Sequence, residues 1–342
     1  MNTDALNMIA KQMVAPGRGI LAADESSGTI EKRFTKIGLP STEESRRAYR
    51  EMIITTPGLG DHISGIILYD ETIRQSTGDG RTFVSVLESA GVLPGIKVDL
   101  GTKEMEGSPS EKLTKGLEGL PERLKEYAGL GAKFAKWRAV ITIEGESLPT
   151  SANIRQNAKD LAAYAKACQE VGIVPMVEPE VLMDDDHGIE RCREVSEQVL
   201  TALFEELKSA GVAIEGTILK TNMVIPAKQS GEKKTAREIA EASVSLFKKM
   251  LPDNLPGQTF LSGGQSEIEA TENLNEMNKI GGFPWKLSFS YGRALLDSAL
   301  KTWNGAKENV PAAQKVLAHR ATMNGLATLG TYSSDMEKDR GY

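Results

Sequence analysis

Residues 19–30 read GILAADESSGTI, and this stretch decides between two fold classes. Its first five residues form a short apolar run of the kind that lies buried on both faces in a parallel sheet. The turn that follows offers carboxylates and hydroxyls, but it lacks the G-x-G-x-x-G spacing that a dinucleotide-binding open sheet carries after its first strand. The stretch therefore favours a closed barrel over a doubly wound open sheet.

Seven more runs of this kind follow along the chain, each starting near a glycine or proline and ending in polar residues. They are 65–69, 95–98, 134–140, 173–177, 217–219, 259–261 and 286–289. Segments with helical periodicity lie between several of them, among them 154–168 and 195–207. Eight buried strands that alternate with helices predict an α/β fold, a TIM (β/α)8 barrel that forms one domain over residues 1–332.

Both ends of the chain are predicted to lie outside this repeat. Residues 1–15 have the pattern of an extra N-terminal helix, without the continuous apolar core of a signal peptide. Residues 333–342 are polar, lack apolar periodicity and are predicted to form a flexible C-terminal tail. No run approaches the roughly 20 apolar residues of a membrane span, so we expect a cytoplasmic protein that does not bind a membrane.

The net charge and the possible metal ligands limit which partners the protein is expected to bind. The chain has 41 basic and 47 acidic residues, a net charge of −6. This speaks against a broad nucleic-acid surface, whereas a small phosphorylated ligand needs only a local basic pocket. His62, His187 and His319 show no metal-ligand spacing, so no metal or other cofactor is expected. The two cysteines lie outside any C-x-x-C pattern, which indicates a reducing compartment.

Charged residues stand at the ends of the apolar runs, where a barrel places its catalytic groups. Lys220 ends the sixth run, either as an amine nucleophile toward a carbonyl or as the structural partner of a glutamate. Burial or a neighbouring cation lowers the pKa of such an amine, and Lys136 in the fourth run could supply the charge. Glu178 and Glu180 follow the fifth run, between the two lysines, where a carboxylate could move protons. Asp24 follows the first run.

The turns after the seventh and eighth runs read SGGQSE and SYGRALL, and they predict a phosphate site. Loops at these two places in TIM barrels often bind phosphate through backbone amides and a helix N-terminus. The candidate residues are Ser262, Gly263, Gly264, Ser290, Gly292 and Arg293. A second basic group, which would suit a sugar bisphosphate, comprises Lys32, Arg33, Lys97 and Arg138, with Ser26 and Thr29 nearby in sequence.

At these residues the sequence resembles the class I fructose-bisphosphate aldolases. The matching strings run in family order from residue 21 to residue 296: LAADESSGTI, GIKVD, FAKWRAV, VPMVEPEVL, GTILKTNMV, TFLSGGQSE and SFSYGRALL. The resemblance implies a homotetramer of TIM barrels that reversibly cleaves fructose 1,6-bisphosphate into dihydroxyacetone phosphate and glyceraldehyde 3-phosphate. Small sugar phosphates would then be its ligands.

The resemblance also implies a role for each candidate residue. Lys220 would form the Schiff base and Glu178 would be the general acid and base, while Asp24, Lys136 and Glu180 assist proton transfer and carbon–carbon cleavage. The 1-phosphate would lie against Ser262, Gly263, Ser290 and Arg293, and the 6-phosphate toward Ser26, Thr29, Lys97 and Arg138, with Arg33 nearby. Tyr342 ends the chain as a tyrosine does in many animal members, where it speeds proton exchange at the enamine, but the preceding EKDRG differs from that tail.

Two residues depart from the family pattern, and two alternative functions remain at this point. Leu100 stands where animal members carry a lysine, and Thr221 replaces a proline common after the Schiff-base lysine. A monophosphate-specific or transaldolase-like enzyme would share the scaffold, but it would not need the second basic group. A protein that only binds partners would not need Lys136, Glu178 and Lys220 together.

Overall fold

A closed barrel of eight parallel strands forms the centre of the molecule, as the sequence predicts. The computed structural model describes residues 2–338. The strands are β1 (Gly19–Ala22), β2 (Ile63–Leu68), β3 (Leu93–Lys97), β4 (Thr102–Met105), β5 (Ser108–Thr114), β6 (Phe134–Ile141), β7 (Val174–Val181), β8 (Ile218–Thr221), β9 (Gly257–Phe260) and β10 (Lys286–Tyr291). The barrel order is β1-β10-β9-β8-β7-β6-β3-β2, and it closes because β1 pairs with both β10 and β2.

Helices follow the strands and cover the barrel. They are α1 (Thr3–Met13), α2 (Ser27–Thr35), α3 (Glu43–Ile54), α4 (Leu59–His62), α5 (Asp70–Ile73), α6 (Phe83–Ser89), α7 (Leu120–Gly129), α8 (Ser151–Glu170), α9 (Ile189–Ser209), α10 (Ala236–Met250), α11 (Glu267–Ile280), α12 (Arg293–Trp303) and α13 (Val310–Thr328). Short 3-10 helices lie at Ile214–Gly216, Lys307–Asn309 and Ser334–Glu337. Within residues 2–338, none of the helices has the length and apolar character needed to cross a membrane.

The predicted N-terminal helix is present as α1, and it closes the lower end of the barrel. Its Leu6, Ala10 and Met13 are buried in one cluster with side chains from β1, β3, β6 and β7. The Phe134 ring fills the interior beside Gly95, where an added Cβ would lie 2.2 Å from the ring. Apolar packing therefore fills the lower half of the barrel, and the charged side chains are left to the mouth at the carboxyl ends of the strands.

Two elements differ from the sequence prediction. The fifth run, predicted over 173–177, continues as strand β7 to Val181, so Glu178 and Glu180 belong to the strand. Both carboxylates are buried there and paired with cations, which offsets the cost of placing charge in a strand. The antiparallel hairpin of β4 and β5 has no counterpart in the sequence prediction, because its residues are mostly polar and exposed.

The segment predicted to form a flexible tail, 333–342, includes a 3-10 helix within its described residues. The 3-10 helix Ser334–Glu337 is docked, because Glu337 accepts a hydrogen bond from the fully buried Arg320 and another from the Tyr332 hydroxyl. One buried ion pair anchors this segment, and a search for apolar periodicity does not detect such an anchor. Tyr342 lies outside the described residues, so its predicted role stays a prediction.

Candidate active site

Four neighbouring charges cross the barrel mouth in alternation. Lys220 Nζ lies 3.0 Å from Glu178 Oε1, and the other oxygen of Glu178 lies 3.4 Å from Lys136 Nζ. Lys136 Nζ then lies 2.7 Å from Asp24 Oδ2. The four side chains come from β8, β7, β6 and the turn after β1, and their exposed fractions are between 4% and 14%. We call these residues the charge chain.

Burial and mutual attraction act in opposite directions on the ionisation of the charge chain. Burial alone would lower the pKa of Lys136, but attraction to Asp24, Glu178 and Asp99 outweighs it, so the pKa lies above its usual value. Burial alone would raise the pKa of Asp24, but Lys136 and Lys220 hold it below its usual range. At neutral pH the charge chain therefore contains the charged ammonium of Lys136 beside the charged carboxylate of Asp24.

Replacing Asp24 with asparagine should cost stability in a pH-dependent way. At pH 7 the variant loses a charged partner of Lys136, so its free energy of unfolding should fall by about 2 kcal/mol. Because the folded-state pKa of Asp24 is depressed, its contribution is complete above the unfolded pKa of about 3.9, begins to decline below it and disappears only as the pH falls through the folded value. Urea titrations at pH 7 and pH 3.5 should therefore show a difference from wild type that is only slightly smaller at pH 3.5. A difference that is larger at pH 3.5 would contradict this assignment.

The sequence pairs Glu178 and Glu180, but the structure gives them different partners. Glu178 lies between Lys220 and Lys136, whereas Glu180 is in contact with the Nε of Arg138. Glu178 and Glu180 are two positions apart in β7, so their side chains lie on the same face of the strand. Of these two, Glu178 is the one placed to exchange a proton with Lys220.

Two glycine-containing turns, 262–264 after β9 and 290–293 after β10, border the mouth on one side; we call them the glycine turns. Gly263 and Gly264 have φ values of +40° and +82°, and a Cβ on Gly263 would lie 2.3 Å from Met183, so a side chain is excluded there. Helix α12 begins at Arg293, directly after Gly292. The Ser290 hydroxyl is buried, and no partner for it is found in the described part of the chain. These features suit an anion.

The structure brings together only part of the second predicted group of basic residues. Lys97, Arg138, Ser26 and Thr29 line one cleft of about 670 Å³, which we call the basic cleft. Arg33 lies elsewhere, because it pairs with Glu25 at 2.5 Å and its Nη2 would be 3.8 Å from a Cβ on Gly292. The sequence placed Arg33 beside the 6-phosphate group, whereas the structure places it against a glycine turn. Lys32 is exposed and does not line the basic cleft.

Comparison with known proteins decides the family. The family model for Fructose-bisphosphate aldolase class-I matches residues 5–341. The chain belongs to the class I fructose-bisphosphate aldolases. It is 53% identical over 333 residues to a probable class 1 aldolase of Xanthomonas campestris, a match that covers 97% of this chain and 99% of the relative.

Relatives from other kingdoms and a solved structure agree with this assignment. A cytosolic aldolase of Arabidopsis thaliana is 52% identical over 327 residues, which cover 95% of this chain and 83% of the relative. The crystal structure of Plasmodium falciparum aldolase, solved with TRAP and a small-molecule inhibitor, superposes with a TM-score of 0.96 at 46% identity. It covers 97% of this chain, and this chain covers 96% of it. This class I aldolase is therefore a lyase on a TIM-like barrel.

Two further residues of this aldolase, Asp99 and Arg50, were not among the sequence-predicted site residues. Asp99 accepts a hydrogen bond from Lys97 Nζ at 2.6 Å and lies 3.9 Å from Lys136 Nζ. Arg50, on α3, is buried and shares Glu25 with Arg33 at 2.7 Å. Asp99 comes just after the third apolar run, where charged residues are expected at the mouth, but the sequence assigns it no role in the site. Arg50 lies inside a helix far from any strand end, so the sequence carries no local signal for it.

Proposed function

We propose that this aldolase reversibly cleaves fructose 1,6-bisphosphate into dihydroxyacetone phosphate and glyceraldehyde 3-phosphate through a Schiff base on Lys220. The observation that carries the proposal is the contact of a buried lysine amine with a buried carboxylate, Glu178, at 3.0 Å. An amine that is to attack a carbonyl must first lose a proton, and a carboxylate at this distance can accept it. Family membership supports the same chemistry.

The reaction divides into steps that the charge chain can serve. Lys220 attacks the C2 carbonyl of the open-chain ketose, and Glu178 returns a proton to the departing hydroxyl as the carbinolamine loses water. The protonated imine then withdraws electrons, so the C3–C4 bond breaks to a neutral enamine and not to a carbanion. A carboxylate of the charge chain accepts the C4 hydroxyl proton, and the ammonium of Lys136 stabilises negative charge that develops on that oxygen.

The position of the two anion sites supports a bisphosphate. In the order of the strands around the barrel, β9 and β10 lie across from β3 and β6. The glycine turns follow the first pair, and Lys97 and Arg138 of the basic cleft belong to the second pair. We infer that the 1-phosphate binds at the glycine turns with Ser262, Ser290 and Arg293, and the 6-phosphate in the basic cleft, with the ketose chain spanning Lys220 between them.

Arg33 is better assigned to the 1-phosphate end than to the 6-phosphate end. Its guanidinium faces Gly292, and Glu25 divides its negative charge between Arg33 and Arg50. Two arginines that share one carboxylate place guanidinium groups beside the turn. We also infer from the family a homotetramer that works in the cytoplasm in glycolysis or gluconeogenesis or the Calvin cycle.

Chemical trapping tests the proposed function. The protein is incubated with dihydroxyacetone phosphate and excess EDTA, reduced with borohydride and digested for peptide mass spectrometry. We expect one stable adduct on Lys220 and cleavage activity that survives the chelator. Activity lost to EDTA together with no adduct would refute the imine mechanism. Equal kcat/KM for fructose 1-phosphate and the bisphosphate would refute the part assigned to the basic cleft.

A further inference from the structure

A lysine from the loop after β8 lies over one of the glycine turns. The side chain of Lys228 passes so close to Gly264 that a Cβ on this glycine would lie 2.2 Å from Lys228 Cε and 2.9 Å from its Nζ. The ammonium pairs with Asp184 Oδ1 at 3.1 Å, and the exposed fractions of the two side chains are 49% and 65%. A cation therefore stands beside the turn 262–264, and its partner is an exposed carboxylate.

The backbone that carries Lys228 is fixed, although its side chain is exposed. Lys228 N donates to Met183 O at 3.0 Å, and its neighbours Ala227 and Gln229 donate to His187 O and Asp185 O at 2.9 and 3.0 Å. These three bonds join the loop after β8 to the loop after β7. Lys228 Cα thus keeps its distance from the glycine turn, while four rotatable side-chain bonds allow the ammonium to change partner.

We propose that Lys228 is a further substrate-binding residue, which leaves Asp184 and binds the phosphate at the glycine turns. The proposal rests on the proposed function, because it assumes that a sugar phosphate binds there. An exposed ion pair such as Lys228–Asp184 contributes little, whereas a bond from an ammonium to a phosphate is charge-assisted and stronger. Exchange of Asp184 for the phosphate is therefore favourable, and Asp184 competes with substrate for the same ammonium.

The competition gives the two members of the pair opposite effects on affinity. Removing the charge of Lys228 weakens phosphate binding, whereas removing the charge of Asp184 frees the ammonium and strengthens it. Because Lys228 acts on the 1-phosphate, both effects appear with fructose 1-phosphate as well as with the bisphosphate. The phosphate is bound before and after carbon–carbon cleavage, so the change should appear in KM and leave kcat nearly constant.

Steady-state kinetics on four variants tests the proposal. Lys228→Met keeps the aliphatic chain on Gly264 and removes the charge, so KM should rise about tenfold for both substrates while kcat stays within about twofold. Asp184→Asn should lower KM about twofold, since the ammonium no longer has a competing partner. The double variant should match Lys228→Met, because without the ammonium the carboxylate has no effect on substrate. Lys228→Arg should restore most of the affinity.

A matched control separates this effect from a general loss of surface charge. Lys249 pairs with Glu197 at 2.5 Å and is 63% exposed on α10, and Lys249→Met should leave KM unchanged. If the wild type is active and Lys228→Met has the same KM as the wild type, this inference alone is overturned. A fall of kcat and stability together, without a change in KM, would also overturn it and would assign Lys228 to packing. A wild type without cleavage activity or adduct would overturn the proposed function as well.

Discussion

Replacing Lys220 with arginine should lower kcat for the cleavage of fructose 1,6-bisphosphate by more than about 10⁴-fold, the scale seen when a covalent nucleophile is removed. Arginine keeps a positive charge beside Glu178, so the buried carboxylate retains a partner and the fold is preserved. Its guanidinium stays protonated at all accessible pH values and cannot form an imine. The loss is therefore chemical and not structural.

The measurement combines single-turnover kinetics, borohydride trapping and a thermal melt. Lys286→Arg is a suitable control, because Lys286 is also a lysine on a barrel strand but is exposed at the start of β10, away from the mouth. This control should retain wild-type kcat and the adduct, and both variants should melt within a few degrees of wild type. If Lys220→Arg keeps more than about 1% of the wild-type kcat, the nucleophile is a different residue.

The barrel could be predicted from the sequence because its strands are buried on both faces. Each parallel strand then has a nearly continuous apolar run, and all eight runs correspond to barrel strands in the structure. The β4–β5 hairpin lacks that signature, because its two strands expose most of their side chains. The docked segment Ser334–Glu337 depends on one distant arginine, Arg320, and local sequence does not carry that information.

The same distinction applies to the candidate site. Lys136, Glu178 and Lys220 lie on the neighbouring strands β6, β7 and β8, so the order of the strands brings them together. Arg33 and Lys228 come from a helix and a loop, and the direction of their side chains is set by tertiary partners, Glu25 and Asp184. Charged residues within or directly after an apolar strand run can therefore be recognised from a sequence, whereas residues that approach the mouth from loops and helices require the structure.

The second large effect concerns the anchor of the C-terminal segment, and it should appear in stability. Arg320 has no exposed surface, and its Nη1 lies 2.5 Å from Glu337 Oε1. Replacing Glu337 with glutamine leaves a buried guanidinium without this counter-charge, which should lower the free energy of unfolding by about 3–5 kcal/mol. Urea denaturation at pH 7 and fixed protein concentration measures this change, because assembly would otherwise alter the apparent stability.

The control lies in the same 3-10 helix. Asp335 pairs with Lys338, both side chains are 78% exposed, and Asp335→Asn should change stability by less than about 0.5 kcal/mol. Adding Arg320→Met to Glu337→Gln should recover part of the loss, since the variant then contains neither buried charge. A Glu337→Gln protein that unfolds within about 0.5 kcal/mol of wild type would contradict a structural role for this pair.

The pH dependence of the same variant gives an independent check on the anchor. Burial alone would raise the pKa of Glu337, but the bonds from Arg320, His319 and Tyr332 lower it below its usual value. A depressed folded-state pKa means that the stabilisation is complete above the unfolded pKa of about 4.3 and disappears as the pH falls through the folded value. The difference in the free energy of unfolding between wild type and Glu337→Gln should therefore be constant from pH 6 to 8 and narrow below about pH 4.

Arg320 Nη2 also donates to Glu267 O at 2.9 Å, in the first turn of α11. Release of the anchor in acid should therefore loosen α11, the helix that follows the turn 262–264. Hydrogen exchange in α11 should then rise in the variant at neutral pH as it does in the wild type in acid.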